Sequence, residues 1–130
     1  MARLTETRNT PELHTGGVKY HYERTAGSEI FAGAIAAQNA EGLAVPAADA
    51  PGLVVLGRAE NSAGAAEKTV IKKGTFLFEN GGGSETLTVA DIGADCFIVD
   101  DQTVGKIGGT NKVKAGVVLD VTPDGVAVII

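Results

Sequence analysis

Residues 117–130 read VVLDVTPDGVAVII, and this stretch decides the fold class. Val117, Leu119 and Val121 recur with period two, as do Val126, Val128 and Ile130 on the far side of Thr122-Pro123-Asp124-Gly125. A period of two places alternate side chains on one face of a strand. Proline pre-sets the second turn position, and Gly125 takes the left-handed conformation that closes a three-residue loop. The segment is a β-hairpin.

The same grammar extends toward the N-terminus. Val18, Tyr20 and Tyr22 alternate with Lys19, His21 and Glu23, a strand with one apolar and one polar face. Residues 31–37 and 43–45 flank Asn39-Ala40-Glu41-Gly42, a turn with asparagine first and glycine fourth, which predicts a hairpin. Residues 53–56 form a short apolar strand followed by a polar loop over 58–66. A second hairpin is expected between 68–72 and 75–79 around Lys73-Gly74, with Phe76 and Phe78 on one face. In the loop Asn80-Gly81-Gly82-Gly83-Ser84 the glycines give freedom rather than structure. Thr88-Val89-Ala90-Asp91-Ile92-Gly93 is the one helical signal: Thr88 caps, Asp91 suits the N-terminal dipole and Gly93 stops the turn. Residues 96–100 pair with 103–107, and 108–111 is a loop. About eight short strands broken by glycine read as an all-β domain, a small closed β-barrel or sandwich with one short helical turn. Closure removes edges that invite aggregation.

Composition narrows the class. At 130 residues the chain is one domain by length, able to bury a core without staples. Its single cysteine, Cys96, makes no intrachain disulfide, and the N-terminus lacks a secretion-signal pattern, so synthesis in a reducing cytoplasm is expected. The longest apolar run, 30–37, falls well short of the ~20 residues that span a bilayer. A net charge of -5, no tryptophan and few aromatics oppose a nucleic-acid footprint. The expectation is no membrane and no nucleic-acid partner. Residues 1–24 carry a net +1 and the remainder -6, so leader and body differ in sign.

No chemical motif stands out. His14 and His21 do not have zinc-ligand spacing, and no paired cysteines accompany His21-Tyr22-Glu23. Asp100 and Asp101 are adjacent, point to opposite faces of a strand, and start the turn before Thr103. Residues 105–110, GKIGGT, lack the spacing of a phosphate loop. Ser84 is outside any Gly-x-Ser-x-Gly frame, and Cys96 has no basic neighbour in sequence to activate it. Cys96 reads as a small buried hydrophobe. The Gly27-Ser28 step in a small acidic β protein is similar to the self-cleavage step of pyruvoyl decarboxylases, without that family's preceding motif. No catalytic residue, metal or cofactor is expected.

Read end to end, RLTETRNTPE, FAGAIAAQNAEGLAVPA, GLVVLGRAENS, DIGADCFIVDDQTVGK and AGVVLDVTPDGVAV resemble the capsid cement, or decoration, proteins of tailed bacteriophages and Mu-like prophages. The resemblance lies in the order of the blocks. Relatives in that family often carry a bulky aromatic near the position of Ala127, which is absent here. What the resemblance implies is a non-enzymatic structural protein of the virion, made in the host cytoplasm. It would sit on the outer surface of the expanded head as a homotrimer, bound to the major capsid protein where its subunits meet. A receptor- or carbohydrate-binding β module of a virion is the alternative, opposed by the poverty in aromatics.

The leader fits such attachment. Residues 1–17 are expected as an extended arm and 18–130 as the barrel. In an extended arm Thr5, Thr7 and Asn9 line one face while Glu6, Arg8 and Thr10 line the other, so the segment can add a strand to a sheet edge until Pro11, which lacks a donor, ends the pairing. Leu4 and Leu13 are the apolar anchors, and Arg3 and Arg8 meet carboxylates on the shell.

Overall fold

The computed structural model describes residues 6, 19–23, 29–62 and 68–130. Ten strands run through them: β1 (Lys19–Tyr22), β2 (Ile35–Gln38), β3 (Ala44–Pro46), β4 (Val54–Ala59), β5 (Thr69–Lys72), β6 (Thr75–Asn80), β7 (Asp95–Ile98), β8 (Thr103–Gly105), β9 (Lys114–Thr122) and β10 (Gly125–Ile129). The fold is all-β. Strands β6 to β10 close into a barrel in the order β10-β6-β8-β7-β9, and the other five form a sheet in the order β1-β5-β4-β2-β3. That sheet curls on itself: Ala44 in β3 donates its N–H to the carbonyl of Glu23, just after β1, at 2.7 Å.

The C-terminal hairpin is present, with two changes. Thr122 pairs with Gly125, so the turn holds two residues rather than three. Thr122 Oγ1 replaces the missing loop length by accepting the Asp124 N–H at 3.2 Å. In addition, Ala127 pairs with Asp120 and Val128 with Val118, which leaves Leu119 as a bulge. The slip reverses the inward face, because an extra residue shifts a period of two by one. Val118 is therefore 1% exposed in the core while Leu119 is 51% exposed.

The hairpin around Asn39–Gly42 forms as its sequence predicts, between β2 and β3. Asn39 Oδ1 accepts the N–H groups of Glu41 and Leu43, each at 3.0 Å, and Gly42 takes φ +79°. By contrast, the hairpin expected around Lys73-Gly74 does not exist. Strand β5 lies between β1 and β4, and β6 between β10 and β8, so the chain crosses from sheet to barrel at that corner. Side-chain destination explains it. Ile71 packs into the core of the sheet, whereas Phe76 and Phe78 pack into the core of the barrel. The carbonyl of Gly74 accepts the N–H of Ile130 at 2.9 Å and pins the corner.

Two cores result, and β2 lies between them. Ile35 and Ala37 pack with the barrel cluster of Ile98, Val104, Val118, Val126 and Val128, while Ala36 packs with Ile30, Leu56 and Ile71. All three successive residues are fully buried, which accounts for a strand of small side chains with apolar residues at every position. Arg58 also joins the two bodies, its guanidinium 4.2 Å above the Phe76 ring and 2.6 Å from Glu60. Strand β4 runs through Ala59, so the loop expected from residue 58 begins later.

The glycine loop is structured rather than free. Residues Gly83–Glu85 make a 3-10 turn, and Asn80 holds Leu87 by both backbone groups, at 2.8 and 2.9 Å. The second 3-10 turn, Val89–Asp91, is the expected helical turn, with the Asp91 carboxylate accepting the Thr88 N–H at 2.8 Å and Gly93 at φ +87°.

Candidate functional site

The residues expected to form a binding arm, Arg3, Leu4, Thr5, Thr7, Arg8, Thr10, Pro11 and Leu13, lie outside the described residues, as do His14 and the Gly27-Ser28 step. Within the described body, two concave surfaces stand out, one at each end of β4.

The first is an apolar groove of about 390 Å³ where the start of β4 meets the barrel. Leu53, Val54 and Val55 form one wall, and Val117 and Ile129 the other. The barrel wall stays low at Gly116, where a Cβ would collide with the carbonyl of Ile129. Val54 is 61% and Ile129 43% exposed, so the lining faces water. Lys73 and Lys114 complete the lining as cations. Lys114 pairs with Asp95 at 3.1 Å, whereas Lys73 has no ion pair among the described residues.

The second surface is a cleft of about 380 Å³ lined by Phe31, Ala32, Gly33, Ala34, Asp101 and Gln102. Ile30 is fully buried, and alternation turns the next side chain, Phe31, outward to 58% exposure. Hydrogen bonds fix the segment at three points. Ala32 N–H meets Ser62 Oγ at 3.0 Å, Gly33 N–H the carbonyl of Ala59 at 2.8 Å, and Ile35 N–H the carbonyl of Asp101 at 2.7 Å. Asp100 and Asp101 start the turn before Thr103 as expected: Asp100 Oδ1 accepts the Gln102 N–H at 2.9 Å.

A third feature is a cradle that sequence reading missed. Ile107, Gly108 and Gly109 turn their N–H groups to the Glu85 carboxylate at 2.6 to 3.1 Å, and Thr110 and Asn111 turn theirs to Asp49 at 3.0 and 2.8 Å. The path requires left-handed backbone at Gly108 and Gly109, φ +80° and +59°. Such rows of amides bind anions, but this one is filled by the chain's own carboxylates. Burial pushes the Glu85 pKa up, yet the amides of Gly108, Ile107 and Gly109 together pull it below its ordinary value. The amides of Asn111 and Thr110 and the Asn111 side chain lower that of Asp49. Glu85 and Asp49 are 22 and 61 residues or more from these partners, so no local spacing marked them. The pair Gly108-Gly109 was the available signal, since amides exposed by left-handed glycines need acceptors.

Of the other reactive groups, Cys96 is committed to structure. Cys96 is fully buried, its S–H faces the Gly116 carbonyl at 3.7 Å, and burial pushes its pKa up to about 11, leaving no thiolate at neutral pH. His21 lies exposed on β1, and Ser84 is exposed in the 3-10 turn Gly83–Glu85. Among the described residues no three of His, Cys, Asp or Glu are grouped to hold a metal ion. No helix among them is long and apolar enough to cross a membrane. No family model, curated protein or solved structure matches the chain.

Proposed function

We propose that the protein is a capsid decoration protein of a tailed bacteriophage, a non-enzymatic cement that binds the outside of the expanded head as a homotrimer and clamps major capsid subunits together. The ordered blocks from RLTETRNTPE to AGVVLDVTPDGVAV supply the class. The structural observation that carries the reading is the character of the concave surfaces. The groove is walled by Leu53, Val54, Val55, Val117 and Ile129, while the carboxylates of Glu85 and Asp49 are occupied by backbone amides of the same chain. Exposed aliphatic walls suit coverage by another protein surface more than turnover of a small substrate. Residues 1–17 serve as the arm, with Leu4 and Leu13 as anchors.

The test is co-sedimentation of the purified chain with unexpanded and expanded heads across a concentration series. Saturable binding to expanded heads is expected. Binding to glycans but to no head would replace this reading with the carbohydrate-binding alternative. A pyruvoyl group, or two fragments in place of the 13.2 kDa chain, would replace it with a self-processing enzyme.

A further inference from the structure

The groove and the cleft are complementary to each other. One is a hollow of aliphatic side chains with Lys73 and Lys114 in its lining; the other presents an exposed aromatic ring, Phe31, beside Asp101. Asp101, like Lys73, has no ion pair among the described residues. Strand register places the two surfaces at opposite ends of the β2–β4 pair. In the β2–β4 pair, Gln38 opposite Val54 marks the groove end and Ile35 opposite Arg58 the cleft end. Knob and hollow therefore cannot meet within one copy.

We infer that copies of this chain associate head to tail, the Phe31 ring of one copy entering the groove of the next, with Asp101 of the first opposite Lys73 of the second. A contact between two different patches is heterologous, and it closes into a ring when the rotation between neighbours divides a full turn. An aromatic anchor in a desolvated pocket with opposite charges at its edge is the arrangement that concentrates binding energy at interfaces and fixes register. The inference rests on the decoration reading only for the number three. The contact itself stands on the surface chemistry of the free chain.

Mass and disulfide capture test it. Sedimentation equilibrium of the intact chain is expected to give three times the monomer mass, and a monomer at the highest reachable concentration overturns the inference. Ala32→Cys, which keeps the Phe31 ring and lies in the same cleft, and Val54→Cys are made in separate chains; the native thiol is buried and does not compete. A disulfide needs Cα atoms within about 7 Å. On mixing and oxidation, disulfide dimers of the two variants are expected, and few from either alone. Self-pairing of Ala32→Cys as efficient as mixed pairing would mean a twofold contact and overturn it. Lys73→Glu is expected to weaken association about tenfold, more at low salt than at high. Combining it with Asp101→Lys is expected to restore the ring, which a merely structural defect would not allow. Failure of that rescue overturns the Asp101–Lys73 pairing. Failures of the two readings are distinguishable: monomers that bind heads sink this contact alone, and rings that ignore heads sink the decoration function alone.

Discussion

The closed barrel and the curled sheet solve the same problem by different means. In the barrel every strand has two partners, large β-branched side chains fill the interior, and a loop is held by the Glu85 carboxylate. The sheet keeps two edge strands, β1 and β3, brought together by the bond from Ala44 to Glu23. Its core is rich in alanine, and it borrows one face of the shared strand β2. At strand crossings neither body has room for an added atom: a Cβ at Gly116 in the barrel would meet the carbonyl of Ile129, and one at Gly57 in the sheet that of Lys72. The sheet's turns, in contrast, have open space around them.

Glycine substitutions sharpen that contrast most. Gly125 has φ +146°, and a Cβ there would collide with the carbonyl of Phe78 in the neighbouring strand. Gly125→Val combines this overlap with an unfavourable backbone conformation, and a loss of about 3 kcal/mol in urea unfolding is expected. Ala36 is fully buried between the cores, so Ala36→Leu is expected to cost about 2 kcal/mol by overpacking, read from thermal melts. Gly42 has φ +79° with no atom within 4 Å of its missing Cβ. Gly42→Ala in the sheet is then expected to cost only about 1 kcal/mol, the backbone term alone. Equal losses at Gly125 and Gly42 would erase the distinction between a barrel crossing and an open turn of the sheet.

A smaller effect is expected on acidification. Glu85 and Asp49 have folded pKa values below their ordinary 4.5 and 3.8. Each contributes stability that is present above its ordinary value and is lost as pH falls through the lowered one. Glu85→Gln should lie below the parent at neutral pH and converge with it in acid; parallel curves of urea midpoint against pH would remove the carboxylate from the account. The smallest effect is expected from deletion of residues 1–17, which should leave the melting temperature of the body nearly unchanged, since the leader's two leucines add little to a core.

Local chemistry made the fold class legible, and only local chemistry. Pro123 and Gly125 announced the last hairpin, Asn39 and Gly42 the first, and Thr88 with Asp91 the single turn. Where two outcomes shared one local sequence, reading failed. Lys73-Gly74 suits a hairpin or a corner between bodies, and what decides is the destination of Ile71 and Phe78, a long-range fact. The bulge at Leu119 preserves the alternation in sequence while reversing which face is buried. Glu85 and Asp49 carry no signal, because their partners are amides far along the chain. Of the expected attachment residues, all fall in the leader; the groove and the Phe31 cleft arise from segments that meet only in three dimensions.

The central claim is that this body clamps an expanded phage head. Its most direct test is the temperature at which DNA-filled heads lacking the protein release their DNA, measured with and without saturating amounts of the intact chain. The account predicts release at a higher temperature when the protein is bound, and a weaker shift for the chain lacking residues 1–17. An unchanged release temperature at saturation would contradict it.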